Sequence, residues 1–296
     1  MEELLRTAAE GRLDYIVNGK ARHFPYLQDL EKQSLERKAA ELIERKTMAV
    51  KGSSRIKVTG IEEQRDLQHV HYLLHERWLI QNDDSFYMEE KIGRRFALMT
   101  DKEVLEDQEV SRPSETDDAP LSNTEPSERK GFMYDRMAAV QYAERWWNSH
   151  NNRYKNFEVN CTNFVSQCLH SGGAQMRGYP GKGTGWWMQN NAWSYSWAVA
   201  HSMNLFLPRS KAGLRAVKAG SAEELRPGDV VCYDFQGDGR FDHTTFVVAK
   251  DKNNMPLVNA QTSNSRMRYW SYKDSTAYTP NIRYSFYRIQ DDSEKS

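Results

Sequence analysis

The stretch from Asp107 to Gly131, DQEVSRPSETDDAPLSNTEPSERKG, constrains this chain more than any other, because Ser, Pro, Thr, Asp and Glu leave it almost no apolar residues. A segment of that composition cannot bury enough surface to offset the entropy of ordering it. The chain is therefore expected to divide around it, into an N-terminal domain over 1–106, an acidic Ser- and Pro-rich linker over 107–130 and a second domain over 131–291. A length of 296 residues agrees, since single hydrophobic cores seldom grow that large. The mean hydropathy of −0.83 is polar for a globular protein and fits a substantial exposed segment.

Before the linker, Leu27, Leu30, Leu35, Ala39, Leu42 and Ile43 recur near helical spacing with Glu and Lys between them, which predicts one amphipathic helix. From Arg55 to about Leu105 the pattern changes to short runs such as RIKVTGIE, HVHYLLHERWLI and FYMEEKIGRRFALMT, which read as antiparallel strands. The N-terminal domain is thus expected to be a small α+β unit, a helix followed by a curled antiparallel sheet. His69, His71 and His75 alternate onto one face of one of these runs, the pattern of an exposed strand face, and no metal site is expected there.

Lys plus Arg and Asp plus Glu both number 41, so bulk charge does not select a polyanion, and no nucleic-acid partner is expected. Three cysteines at irregular spacing match neither a disulfide framework nor paired zinc ligands. No metal and no organic cofactor are expected. The first twenty residues lack the basic cluster and apolar run of a signal peptide, and no later run is long enough to span a bilayer. As written, the chain is expected to be cytoplasmic.

The second domain opens with FMYDRMAAVQYAERWW, which can share a helical face, and after a polar loop comes NCTNFVSQCLHSGG. Asn160 is a favourable N-cap residue, and Phe164, Val165, Cys168 and Leu169 form an apolar stripe once the following run is helical. Cys161 then becomes the first helical residue. A sulfur there lies beside free backbone N–H groups and the positive end of the helix dipole, which favours the nucleophilic thiolate. Cys168 and Cys232 read as small core side chains. A nucleophile needs a base, and His243, in GRFDHTTFVVAK, sits at the beginning of a predicted strand. His150, His170 and His201 lie in polar loop or helix contexts and rank below it. On the next strand Asn259 and Gln261 alternate onto one face, and either amide can accept the bond that holds the imidazole's other nitrogen.

These runs, YDRMAAVQYAERW, NCTNFVSQCLHSGG, LRPGDVVCYDFQGDGRFDHTTFVV and VNAQTSN in that order, resemble the putative amidase domain family of Gram-positive, often spore-forming bacteria. That family is a branch of the papain-like cysteine hydrolases related to peptidoglycan-cleaving endopeptidases. The resemblance covers roughly residues 134–288. It implies a papain-like domain of helices packed on an antiparallel sheet, a Cys nucleophile at a helix start carried by Cys161, a His carried by His243, and a polar third residue on the strand after. Two positions depart from the pattern: Asn160 stands where relatives usually carry Asp, and Gln261 where a His is common.

Two other motifs carry less. DFQGDGRFDH begins like a calcium loop but has Thr245 where a bidentate Glu is required, so it reads as a hairpin turn. GYPGKGTG lacks the ending and the preceding strand of a phosphate loop. Of the eight Trp residues, Trp186, Trp187 and Trp193 are interleaved with Asn and Ser, a mixture that serves a core or a groove gripping peptide or sugar. The expected function is cysteine-dependent hydrolysis of an amide or peptide bond, on peptide or peptidoglycan-derived substrates. Cys161 is the nucleophile and His243 the base, Gln261 or Asn259 aligns the ring, and the Cys161 N–H with Asn160 receives the oxyanion. A papain-like module that only binds a peptide or protein partner, and an acyl transferase, are the alternatives. Cell-wall peptides as substrate point to a spore or cell-wall association, which the missing leader does not explain.

Overall fold

The computed structural model describes residues 1–19, 24–110 and 131–294; most of the expected linker, residues 111–130, lies outside the described residues. In chain order the elements are helices α1 (Glu2–Asn18) and α2 (Asp29–Glu44), then strands β1 (Met48–Gln64), β2 (Leu67–Asn82), β3 (Ser85–Met99) and β4 (Val104–Glu109). Helices α3 (Arg136–Trp146) and α4 (Cys161–Ser171) follow, then strands β5 (Met188–Gln189) and β6 (Ala192–Trp193) and helices α5 (Tyr195–Ala198) and α6 (Ala200–Phe206). The remaining strands are β7 (Arg215–Ala219), β8 (Val230–Asp234), β9 (His243–Lys250), β10 (Pro256–Ala260), β11 (Asn264–Tyr269) and β12 (Arg283–Gln290). Helices with mostly antiparallel strands make this an α+β fold. The chain forms two compact units, Met1–Ser111 with Ser263–Tyr278, and Arg112–Thr262 with Thr279–Ser296.

In the first unit β1, β2 and β3 form a long antiparallel meander. The far half of β3 pairs with β4 and its near half with β11. Helix α1 covers the sheet: Leu5 and Ala9 pack with Val70, Tyr72, Leu74 and Ala97, and Leu13 and Ile16 with Trp78 and Ile80. The helix comes so close that a Cβ on Gly52 would sit 3.0 Å from the Leu13 Cβ, so any side chain there would have to push Leu13 back by a few tenths of an ångström. The sheet begins earlier and runs longer than the sequence pattern implies. Asp107 and Glu109, assigned to the linker on composition, belong to β4. Asp107 is fully buried, accepting bonds from Arg12 Nη1 at 2.6 Å and Arg95 Nε at 2.8 Å. A carboxylate matched by two guanidiniums can be buried, which composition alone does not reveal. On β2 the rings of His69 and His71 rest on Phe96, and His75 Nε2 lies 2.8 Å from Glu90.

In the second unit the strand order is β10, β9, β8, β12, β7, each pair antiparallel. Helix α4 packs against β9 with every residue from Cys161 to Leu169 buried. The sequence predicts an apolar stripe; the helix is instead enclosed on all sides, the situation of a central helix. Its polar residues are therefore joints. Thr162 accepts from Thr244 Oγ1 at 3.1 Å, and Asn163 Oδ1 from Trp197 Nε1 at 2.7 Å. Ser166 donates to the Trp197 carbonyl and accepts from Trp186 Nε1, and Gln167 accepts from the Tyr142 hydroxyl at 2.6 Å. Fully burying Phe164 and Leu169 contributes about 2 kcal/mol each, and the bonded polar residues fix which way the helix faces.

Candidate active site

Cys161 is the first residue of α4. The residue before it, Asn160, occupies the N-cap position, but its side chain does not cap the helix. Its Oδ1 turns back to accept from the Phe157 N–H at 3.0 Å and from Asn163 Nδ2 at 2.8 Å, and its Nδ2 donates to Gln261 Oε1. Gln261 Nε2 in turn donates to the carbonyls of Trp146 and Ser149, at 2.6 and 2.7 Å. The Asn160 backbone N–H donates to Thr262 Oγ1 at 2.9 Å. A web of amides thus holds the turn before the cysteine between the end of α3 and the end of β10. The capping role expected of Asn160 is replaced by bracing, because the amide geometry that satisfies Phe157 and Asn163 points away from the helix N–H groups.

The three thiols have different surroundings. Cys168 and Cys232 are fully buried, and burial pushes both thiols upward, Cys168 to well above its ordinary value. Cys161 is 2% exposed but lines a pocket of about 410 Å³, open mouth included, with Thr162, Val199, His201, Arg240 and Asp242. Its Sγ lies 3.7 Å from Thr162 Oγ1. Burial, together with the neighbouring carboxylates Asp234 and Asp238, raises the Asp242 carboxyl, against the lowering effect of the Phe235 N–H bond. The loop that supplies Arg240 and Asp242 is shaped by Asp234, whose carboxylate accepts the N–H groups of Gly237, Asp238 and Gly239 at 2.7, 3.2 and 2.8 Å. Gly237 and Gly239 have φ of 73° and 94°, conformations that glycine adopts without strain. The Asp234 oxygens are occupied by backbone donors, the arrangement of a turn and not of a calcium loop. Among the described residues no group of three or more His, Cys, Asp or Glu is placed to hold a metal ion.

His243 follows Asp242 as the first residue of β9, paired across to Tyr233. Its ring packs against Tyr233 and Phe235, with centroids 5.6 and 6.2 Å away. Strand alternation puts Thr244, bonded to Thr162, on the side of α4, with Phe246. His243 alternates to the side of Thr245, whose hydroxyl meets that of Tyr233 at 3.0 Å. The structure therefore fixes the start of β9 against the first turn of α4 through the residue next to His243. His201, ranked lower on sequence, is the imidazole that lines the cysteine pocket. Its Nδ1 accepts from the Phe241 N–H at 3.4 Å and its ring stacks on Phe241. Only the tract Val199-Ala200-His201, directly after the tryptophan run, could have pointed to it.

The amides expected to orient His243 are bonded to other partners. Gln261 spends its bonds on Asn160, Trp146 and Ser149, which corrects its assignment as the imidazole's partner: it positions the residue before Cys161. Asn259 pairs with Phe246 and donates to Glu144 Oε1 at 2.8 Å. The groove reading is corrected for two rings, since Trp186 and Trp187 are each 1% exposed and belong to the core. Their indole N–H groups go to Ser166 and to the carbonyls of Gly181 and Thr184. Trp193 is half-buried, edge-on to Phe157 at 4.8 Å, with Lys155 Nζ 4.2 Å from its centroid.

Among the described residues, no helix is long and apolar enough to cross a membrane. Comparison with known proteins places the site in context. A protein of Bacillus subtilis (strain 168), described as "Uncharacterized protein YhbB", is 50% identical over 309 residues, spanning 100% of this chain and 98% of its own. No solved structure matches. The family described as "Putative amidase domain" matches residues 133–287, which include Cys161, His201, His243 and Gln261. The chain belongs to that family.

Proposed function

We propose that this protein is a cysteine-dependent amide hydrolase acting on peptides. The family's description supports amide hydrolysis at the coarse level. The observation that carries the finer reading is the contrast among the thiols: Cys161 alone lies at a helix start in the wall of an open pocket, while Cys168 and Cys232 are sealed in the core. The Cys161 sulfur attacks the amide carbonyl carbon, and its proton passes to an imidazole base, which the motif gives as His243 and the pocket wall offers as His201. The backbone N–H of Cys161, at the free N-terminal edge of α4, receives the oxyanion. When the tetrahedral intermediate collapses, the C–N bond breaks and the imidazolium protonates the departing amine, leaving a thioester. Water, deprotonated by the same imidazole, then hydrolyses the thioester and restores the thiol.

The position of His201 in the pocket wall favours a second assignment of the base. The test is release of free amine from a panel of peptides, cell-wall stem peptides included. Cys161→Ser is expected to abolish turnover, and His243→Ala to lower it by about 10²–10⁴-fold. His201→Ala is expected to cost less. Retained turnover in Cys161→Ser sinks the reading; collapse in His201→Ala with survival of His243→Ala transfers the base role to His201.

A further inference from the structure

The meander of the first unit has two faces, and its helices cover one of them. Val70, Tyr72, Leu74, Trp78 and Ile80 of β2 pack with residues of α1 and α2. The odd-numbered residues of β2 alternate to the opposite face, and none of them is buried. The strand register sets their neighbours. Lys51, Leu79 and Met88 stand in one cross-strand row, Ser53, Arg77 and Glu90 in the next, then Arg55, His75 and Ile92, then Lys57, Leu73 and Arg94. On the hairpin side of these rows Met48, Gln81 and Phe86 make another.

Two kinds of group are left without a counterpart on this face. The first is positive charge. Lys51, Arg55, Lys57 and Arg94 are exposed and Arg77 is half-buried, and among the described residues none of the five has a carboxylate partner. Glu90, the carboxylate within these rows, is already held by His75 Nε2 at 2.8 Å and Arg266 Nη1 at 2.9 Å. Glu62 lies further along β1, past the basic rows. The second is apolar surface, since Met48 is 58%, Phe86 56% and Met88 36% exposed. Gathered cations repel one another and favour an anionic partner, while apolar side chains grouped on an open face mark a surface that meets something other than water.

We infer that this face docks on an anionic lipid surface. A nucleic-acid backbone would answer the cations and leave the apolar row in water. The interface of an anionic bilayer answers both, with phosphate groups beside the ammonium and guanidinium groups and acyl chains beside Met48, Phe86 and Met88. The turn between β2 and β3 carries Asp83 and Asp84, which such a surface repels, so the contact runs along the strands and not through the hairpin tip. This assignment does not depend on the role of Cys161, and its test reads binding, not turnover.

Co-sedimentation of the full chain with vesicles decides it, using phosphatidylcholine alone and phosphatidylcholine with phosphatidylglycerol in equal parts. The anionic vesicles are expected to bind at least tenfold tighter than the neutral ones, and about 0.5 M salt, which screens surface charge, is expected to remove most of that difference. The double variant Arg55→Glu, Lys57→Glu is expected to weaken anionic binding at least tenfold. Phe86→Ser with Met88→Ser is expected to weaken it about fivefold and to leave its salt dependence in place. Equal binding to the two kinds of vesicle, or none to either, overturns the inference. Anionic binding that survives the charge reversals puts the contact elsewhere on the chain and overturns it too. Binding that falls with the charge reversals but is indifferent to the loss of Phe86 and Met88, and is matched by a single-stranded oligonucleotide, makes the face a general polyanion surface and overturns the lipid assignment.

Discussion

At the scale of single residues, the cysteine before which Asn160 stands is held in place by a web of side-chain amides. Gln261 joins three partners from two segments: the Asn160 side chain and the carbonyls of Trp146 and Ser149. Removing it strands two carbonyls and one amide N–H in a site where Asn160 is 4% exposed. Gln261→Ala is expected to destabilise the protein by about 1–3 kcal/mol, read from urea unfolding, with a parallel loss of turnover as the cysteine turn loosens. An imidazole-orienting role predicts the opposite pattern, turnover lost at unchanged stability. The sequence singles out Cys161 and His243 because a thiol after an N-cap residue and an imidazole at a strand start are local patterns. The partners of Gln261 are not local, so alternation correctly placed its side chain on a shared face with Asn259 without revealing what that face meets.

At the scale of elements, α2, α3, α4 and the strands of the meander are signalled by hydrophobic period, although α4 is buried on every side and α2 buries Lys38 and Glu41 with Leu42 while leaving Leu30 and Ile43 exposed. Helix α1 was not legible, because Arg12 and Gly11, both buried, interrupt its apolar positions, and only the carboxylate of Asp107 on β4 makes Arg12 acceptable there. Strand β4 was hidden for the same reason: Asp107 and Glu109 look like linker until their cations are known. Burial alone would raise the Glu109 carboxyl, but the adjacent Lys91 ammonium, with its hydrogen bond, and Arg95 outweigh it and hold the group at about 2, against an ordinary value of 4.5. A depressed folded-state value stabilises the protein above the unfolded value and loses that contribution as pH falls toward the folded one. Wild type is therefore expected to exceed Glu109→Gln in stability by up to about 3 kcal/mol near pH 6, with the gap narrowing between about pH 4.5 and pH 2. Urea titrations of both proteins at a series of pH values check this. A gap that stays constant or widens on acidification contradicts it.

At the scale of the molecule, the least legible feature is the return of Ser263–Tyr278 to the first unit. Arg268 pairs locally with Asp274, but Lys273 and Asp274 also reach Glu44 and Lys38, more than two hundred residues earlier, which no local pattern reveals. Lys38 and Asp274 meet at 3.3 Å, Arg37 Nε donates to the Lys273 carbonyl at 2.6 Å, and the Ser271 hydroxyl donates to Glu41. The first unit thus contains a piece of sequence from between the two segments of the second, with β11 completing the near edge of β3. A fragment of residues 1–110 lacks that strand and those partners. Its β3 amides are expected to exchange hydrogen at least tenfold faster than in the full chain, the equivalent of losing about 1.4 kcal/mol. Equal exchange in the two would mean the returning segment adds nothing to the sheet.

The central claim is that one thiol of three is placed for chemistry. The most direct measurement is alkylation of the native protein by iodoacetamide near neutral pH, mapped by mass spectrometry over time. Cys161, in the wall of an open pocket, is expected to be modified first and to one equivalent, well before Cys168 and Cys232, whose thiols are sealed and held protonated by burial. Equal, slow modification of all three, or earlier modification of Cys168 or Cys232, would contradict it.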